Sequence, residues 1–343
     1  MTFINDGFYS AFQKARAVQG RIRRQIQIET GTADWKTLRE WSRLLRRNAQ
    51  GCSPERMRTL VMRHDPAIEL ETLVDARIVG KGGGDFNLNA YRCGRRHGVA
   101  VFEKIYLLDS DSWRKLNWVY TFVLPRLEGR VRTPRLLHRV EGRRLAAAYF
   151  EYIPDMSRNS KAATLTAAKE FRRCIYDVDM SRMDPTFADF RSEPIFVRGI
   201  DRLENILIRQ GRDPGAARTL ADAFLAPGIH RVFTHGDLVP ENIAPDGKII
   251  DWDRCGAYPE GYDFGRTIGL LIYCKSLVDF DAFITKNIAG MCPRSSGSLE
   301  FFSAVFYARR NKTGVQVTDA FILDLFDRAC ALQGSGEKVR HSA

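Results

Sequence analysis

Two short apolar runs, Val232-Phe233 and Ile249-Ile250, enclose a span that holds His235, Asp237, Asn242 and the turn-forming Pro245-Asp246-Gly247, and Asp251 follows the second run at once. So tight a span leaves few ways to place its polar side chains. Turn residues between two β-prone runs favour a hairpin. IAPDGKIID therefore reads as a short strand, a turn, and a second strand, Lys248-Ile249-Ile250, that ends in Asp251. A hairpin there returns Asp251 beside the loop that carries Asp237 and Asn242.

That convergence has a chemical meaning. Moving a γ-phosphoryl group needs a carboxylate to orient and deprotonate the acceptor hydroxyl, and oxygen ligands to hold Mg²⁺ on the phosphates. Asp237 suits the first task, and Asn242 and Asp251 suit the second, because their oxygens are hard ligands that fit Mg²⁺ better than zinc. Taken alone, His-Gly-Asp is a turn tripeptide, and an Asp after a strand often caps the next helix. The joint arrangement carries the reading.

The rest of the chain divides by texture. The first seventy residues are basic, with 13 Lys and Arg against 7 Asp and Glu, and show helical periodicity from Phe8, from Trp35, and after Ser53-Pro54, where Ser can cap and Pro fits the first turn. From Asp75 the pattern turns to strands: VDARIVG, a glycine cluster, HGVAVFEKIYLL, and a pair turning at Glu141-Gly142, with one helix over 113–124. From about Lys161 it is helical, interrupted by the His235 stretch, and the segment GSGEKVRHSA reads as a disordered tail. The expected organisation is a basic helical extension (1–70), a β-rich lobe (71–153), a helical lobe (154–333) and a tail (334–343).

HGDLVPEN, then IIDWD, then YDFGR resemble the aminoglycoside phosphotransferase and choline kinase-like family, relatives of the protein kinases. The resemblance is specific between Val232 and Arg266 and covers the order of elements over roughly 75–275. It implies an α+β, bilobal protein-kinase-like fold with a small β-rich N-lobe for the nucleotide and a larger helical C-lobe for catalysis and acceptor. It implies ATP and Mg²⁺ as cofactors, Asp237 as catalytic base, Asn242 and Asp251 as metal ligands, Asp263 as a structural brace, and His235 as support for the loop. Lys104 would meet the α- and β-phosphates, Gly82, Gly83 and Gly84 would approach phosphates through backbone amides, and Glu151 and Tyr152 would lie at the adenine hinge. The family usually places a Glu on the helix after the lysine strand, and WRKLNWVYTFVL has none. For Asp253 a surface position is expected, and for Trp252 a place in the core.

Composition narrows the classes without choosing among them. A net charge of +12 implies an acidic partner, and argues mildly against cationic aminoglycosides and for an anionic acceptor. Seven scattered cysteines, with no C-x-x-C, suggest neither a disulfide framework nor a zinc site. No apolar run approaches a membrane span, so a soluble, cytoplasmic protein is the expectation. The leading function is an ATP-dependent phosphotransferase acting on a hydroxyl of a small molecule: a sugar, an amino alcohol, or an anionic glycan or lipid head group. The alternatives are a nucleotide-binding pseudokinase, or a basic protein whose N-terminal helices contact a partner, a membrane surface or, with less support, nucleic acid. Only 11 residues separate Asp251 from Asp263, too few for a long activation segment, which favours small acceptors.

Overall fold

The computed structural model describes residues 53–340 apart from 82–89, 109, 128, 155–160, 184–186, 188–193, 225, 227–228, 272, 289–296 and 312–316. The helices expected from Phe8 and Trp35, and Gly82, Gly83 and Gly84, lie outside the described residues. The chain forms two compact units, one ending at Asn117 and resuming over Pro134–Ile153, the other made of Trp118–Thr133 and the residues from Pro154 on.

The first unit opens with α1 (Pro54–His64), which starts where the Ser53-Pro54 signal places it. The Ser53 hydroxyl accepts the Arg56 amide at 3.1 Å, and Pro54 occupies a first-turn position that needs no amide donor. Met57 and Val61 of this helix join Ile68, Leu73, Val101, Ile105, Leu145 and Tyr149 in one core. The helix is thus part of the sheet unit, whereas the sequence reading groups it with a separate extension. Five antiparallel strands follow, β1 (Val74–Lys81), β2 (Ala90–Arg96), β3 (Val99–Leu107), β4 (Leu136–Glu141) and β5 (Leu145–Glu151), in the order β1-β2-β3-β5-β4. Between β3 and β4 lies α2 (Asp111–Trp118), continued by a π-helical turn over Val119–Val123.

One ion pair ties the middle of this sheet. Arg92 on β2 stands opposite Glu103 on β3, both side chains are almost wholly buried, and two parallel hydrogen bonds of 2.6 Å join Nε to Oε1 and Nη2 to Oε2. This is the two-pronged geometry that makes a guanidinium the preferred partner of a buried carboxylate.

The second unit contains α3 (Lys161–Cys174), α4 (Pro194–Arg209), α5 (Gly215–Ala223), β6 (Arg231–Thr234), β7 (Gly256–Pro259), α6 (Tyr262–Leu271), α7 (Leu277–Asn287), α8 (Ser298–Arg310) and α9 (Asp319–Arg340). α8 runs through its centre, with every side chain from Leu299 to Ala308 buried. α6 packs closely on α8 because Gly265 and Gly269 face it: an added Cβ would come within 2.7 Å of Phe302 Cβ and 2.8 Å of Phe306 Cβ. Two features depart from the sequence reading. The strand β7 was not expected, and α9 continues to Arg340 in place of a disordered tail from 334. Once a helix is nucleated each further residue adds one backbone hydrogen bond, which offsets the roughly 1 kcal/mol penalty of Gly334 and of Gly336.

The Arg92–Glu103 pair gives a stability test. Glu103→Gln should cost about 3–5 kcal/mol by stranding a buried guanidinium, while the apolar double replacement Arg92→Met with Glu103→Leu should recover most of that loss. Urea denaturation of the three proteins reads both values.

Candidate active site

The loop His235-Gly236-Asp237 leaves the end of β6, whose last residue Thr234 pairs with Gly256 of β7. Asp263, in the first turn of α6, holds this loop from below. Its Oδ2 accepts the His235 amide at 2.7 Å and its Oδ1 accepts the Gly236 amide at 2.9 Å, so each carboxylate oxygen takes one donor. Burial pushes the Asp263 carboxyl up to about 6, against the two amides and Arg266, which act to lower it. Gly236 is required by the path of the chain. Its φ is +76°, and a Cβ there would meet the Arg254 carbonyl oxygen at 2.0 Å.

His235 is fully buried and edge-on to Trp252, with ring centroids 4.6 Å apart. Its Nε2 lies 2.9 Å from the Ile250 carbonyl oxygen, and its Nδ1 accepts the Asp237 amide at 3.2 Å. These partners fix one neutral tautomer, with the proton on Nε2. Burial lowers its pKa to about 4. Both ring nitrogens are thus engaged by backbone groups, one of the loop and one of the hairpin.

Asp237 points its carboxylate at two arginines. Arg266, one turn beyond Asp263 on α6, is buried, contacts Asp237 Oδ1, and donates to the Gly236 carbonyl at 2.5 Å. Arg254 Nε stands 3.6 Å from Asp237 Oδ2. The next helix residue, Thr267, donates its hydroxyl to the Leu238 carbonyl at 2.7 Å. Asn242 ends a short 3₁₀ turn, Pro240–Asn242, and its Nδ2 donates to the Asp237 carbonyl at 2.9 Å, which leaves Oδ1 as the oxygen to offer a cation.

The hairpin is present. Ile243 pairs antiparallel with Ile249, the Ala244 amide bonds Lys248 O at 2.8 Å, and the Ile250 amide bonds Asn242 O at 2.9 Å. Ile250 is therefore held by Asn242 through its amide and by His235 through its carbonyl, and Asp251 is the next residue. Asp251 is half-buried and adopts φ 64°, ψ 63°, a left-handed conformation that disfavours most side chains but that Asp and Asn tolerate best. Such strain persists only where surrounding contacts impose it. Asp253 is buried, not at the surface as the sequence reading has it, because the chain turns inward over Trp252–Arg254. Trp252 lies in the core against Phe171 and Phe233.

His235, Asp237, Asn242, Asp251 and Asp263 thus come together in the helical unit. Among the described residues no group of three or more His, Cys, Asp or Glu is disposed to hold a metal ion. Asn242 and Asp251 supply two hard oxygens, a donor set that fits Mg²⁺ carried in on phosphates and completed by water. The remaining expected residues belong to the sheet unit. Lys104, on β3, is buried with its ammonium 5.1 Å from the Tyr106 ring centre. Glu151 ends β5, where its amide bonds Arg135 O at 2.9 Å, and the Tyr152 hydroxyl accepts from Arg77 at 2.6 Å. Arg254, Arg266 and Thr267 were missed as site residues. The spacing of Arg266 from Asp263, three residues on one helix, places both on one face and was the available signal.

The buried histidine sets a pH test. A depressed histidine contributes stability that is fully present above its unfolded value of about 6.5 and is lost as pH falls through about 4. His235→Gln removes that dependence. Its destabilisation relative to the wild type should shrink by about 3 kcal/mol between pH 7 and pH 4, as read by denaturation at each pH; an unchanged difference would show that His235 is not held neutral by burial.

Residues 95–281, more than half of the chain, match the family model APH, the phosphotransferase enzyme family. No curated protein sequence matches the chain. Among solved structures it is similar to a thermostable mutant of aminoglycoside phosphotransferase APH(4)-Ia in ternary complex with ADP and hygromycin B (12% identity over 83% of this chain and 98% of that one, TM-score 0.45). It is also similar to spectinomycin phosphotransferase APH(9)-Ia in complex with ADP and spectinomycin (12% identity, 82% and 95%, TM-score 0.42). A third is an aminoglycoside phosphotransferase from Alicyclobacillus acidocaldarius (12% identity, 86% and 99%, TM-score 0.44). The matched region contains the lysine strand, the braced His-Gly-Asp loop, the hairpin and Asp263 together, and the chain belongs to the APH phosphotransferase family.

Proposed function

We propose that Asp237 is the base of an ATP-dependent phosphotransferase whose acceptor is a hydroxyl on a small molecule, with Asn242 and Asp251 as the metal ligands. Phosphoryl transfer to a hydroxyl from ATP with Mg²⁺ is the activity of the family. The observation that carries the assignment is the junction at Ile250: its amide is bonded to Asn242 and its carbonyl to His235, which fixes Asp251 next to the loop presenting Asp237.

In the transfer the acceptor oxygen forms a bond to the γ-phosphorus as the bond from that phosphorus to the ADP oxygen breaks, and the hydroxyl proton passes to the Asp237 carboxylate. Arg266 holds that carboxylate in one orientation, and its second contact, to the Gly236 carbonyl, ties the orientation to the loop itself. Asp263 holds the loop through the His235 and Gly236 amides, and His235 ties it to the Ile250 carbonyl. Bound Mg²⁺ supplies neutralisation of phosphate charge at the Asn242 and Asp251 oxygens. We assign residues 71–153 to the nucleotide, with Lys104 on the phosphates, the Gly82–Gly84 amides near them and Glu151-Tyr152 at the adenine, and residues 154–333 to catalysis and the acceptor. These assignments rest on the family resemblance and on the position of Lys104 on a central strand. The acceptor classes the sequence supports are sugars, amino alcohols and anionic glycan or lipid head groups.

Two variants separate the roles. Asp237→Asn should lower the transfer rate by about 10²–10⁴-fold, the usual worth of a positioned base, with Mg-ATP affinity kept within about threefold. Asp251→Gly relieves the left-handed strain and should fold as well as the wild type, yet lose Mg²⁺-dependent nucleotide binding. Calorimetric titration of ATP with and without Mg²⁺, beside a turnover assay, reads both. Equal loss of Mg-ATP binding in the two variants would sink the division of labour, and nucleotide binding with no turnover on any acceptor would favour a pseudokinase.

A further inference from the structure

Alternation along β3 turns Lys104 and Tyr106 to one face of the sheet, and Glu103, bonded to Arg92, to the other. Strand register extends that face sideways. Tyr106 stands opposite Ala146 of β5, and Ala146 stands opposite Glu141 of β4, so the three form one row across the sheet. Ala146 is the small member of the row and is fully buried. Trp113 of α2 touches both ends of the row. Its ring centre lies 5.3 Å from that of Tyr106, and its indole Nε1 donates to Glu141 Oε1 at 3.1 Å.

The same helix is tied to β3 where it begins. β3 ends at Leu107, whose carbonyl accepts the Ser110 hydroxyl at 2.7 Å and the Ser110 amide at 3.0 Å. That hydroxyl in turn accepts the Trp113 amide at 3.2 Å. Nearer the other end of α2, Asn117 bonds Arg139 of β4. Trp113 is therefore held through its backbone at Ser110 and through its indole at Glu141, and the Tyr106 ring packs against it. The Lys104 ammonium lies 5.1 Å from the centre of that ring, within the distance at which an aromatic face attracts a cation. Lys104, Tyr106 and Trp113 are all buried, and burial strengthens the attraction.

We propose that Trp113 and Tyr106 are positioning residues for the nucleotide phosphates, α2 setting the place of the Lys104 ammonium through two packed aromatic rings. This rests on the reading of Lys104 as the lysine of the α- and β-phosphates. All of these residues belong to the sheet unit. The helix, DSWRKLNW, has no Glu to reach for that lysine. A ring acts differently from a carboxylate: it orients the ammonium without supplying a counter-charge, so the contact subtracts nothing from the pull on phosphate. Only the ring face is needed, and a phenylalanine offers the same face.

Calorimetric titration of Mg-ATP and of adenosine into the full-length protein and its variants tests this. Lys104→Met should weaken Mg-ATP by about tenfold or more and leave adenosine within about twofold, since adenosine has no phosphate. Tyr106→Leu should weaken Mg-ATP by about fivefold with adenosine again unchanged, and Tyr106→Phe should keep the wild-type value within about twofold. In the Lys104→Met protein, Tyr106→Leu should add less than about twofold, because the tyrosine acts through the lysine. Glu141→Leu, at an exposed position, releases the indole without emptying the core; it should weaken Mg-ATP by about threefold, and serves where Tyr106→Leu melts early. The proposal is overturned by a Tyr106→Leu protein that keeps its Mg-ATP affinity, that loses adenosine as strongly as Mg-ATP, or that loses the same factor with and without Lys104. In each of those cases a lysine variant that still weakens Mg-ATP leaves the reading of Lys104 standing. Full Mg-ATP affinity in Lys104→Met would overturn that reading, and the aromatic relay with it.

Discussion

Asp263 is the contact on which the rest of the site depends. One carboxylate, at the start of a helix buried on all sides, takes two consecutive backbone amides, and those amides belong to His235 and Gly236. A loop with two donors pinned to one side chain has little freedom left. The Gly236 backbone is then forced into a positive φ against Arg254, and Asp237 leaves the loop in a single direction. Arg266 and Thr267, the residues one turn beyond Asp263, complete the hold by bonding Gly236, Asp237 and Leu238. Asp237 is thus oriented by one helix face, 263, 266 and 267. The first amino acid of that face sits where the positive end of the helix dipole favours a negative charge.

The same economy explains what was legible in the sequence. His235, Asp237 and Asn242 lie within eight residues of one another, and the hairpin that follows them is announced by Pro245-Asp246-Gly247, so local pattern sufficed to bring them together. Ser53-Pro54 was legible for the same reason. What escaped notice depends on tertiary pairing. β7 is four residues with a Gly at one end and a Pro at the other, a composition that reads as a turn, and it becomes a strand because β6 pairs with it. The Arg92–Glu103 pair needs the register of β2 against β3, which hydrophobic alternation on one strand does not state. Asp253 was misjudged as a surface group because alternation assumes that the strand continues, and the chain instead turns at Asp251.

α6 and α8 show a second limit of pattern reading. Amphipathic periodicity identifies a helix with one wet face, but all ten residues of α6 are buried, and so is α8 from Ser298 to Ala308. In such helices the informative residues are those that break an apolar run: Gly265 and Gly269 as close-contact points, and Asp263, Arg266 and Thr267 as polar groups that must find partners inside. All five were in plain view in YDFGRTIGLL, and their buried setting is what turns them into the frame of the site.

Charge has to be read locally for the same reason. Half of the net +12 lies in the first seventy residues, and a surplus spread over a surface acts at a distance only within a screening length of about 8–10 Å. The Arg92–Glu103 pair is different because its groups are 2.6 Å apart and almost wholly buried, where screening by salt is weaker. A phosphoryl group in flight, a carboxylate base and an anionic acceptor would repel one another if brought together in water. At the loop two cations flank the carboxylate, with Arg266 in contact with Asp237 Oδ1 and Arg254 Nε 3.6 Å from Asp237 Oδ2. The local charge of the braced loop is therefore set by a buried arginine bonded to its carboxylate, and the net charge of the whole chain is a poor guide to it.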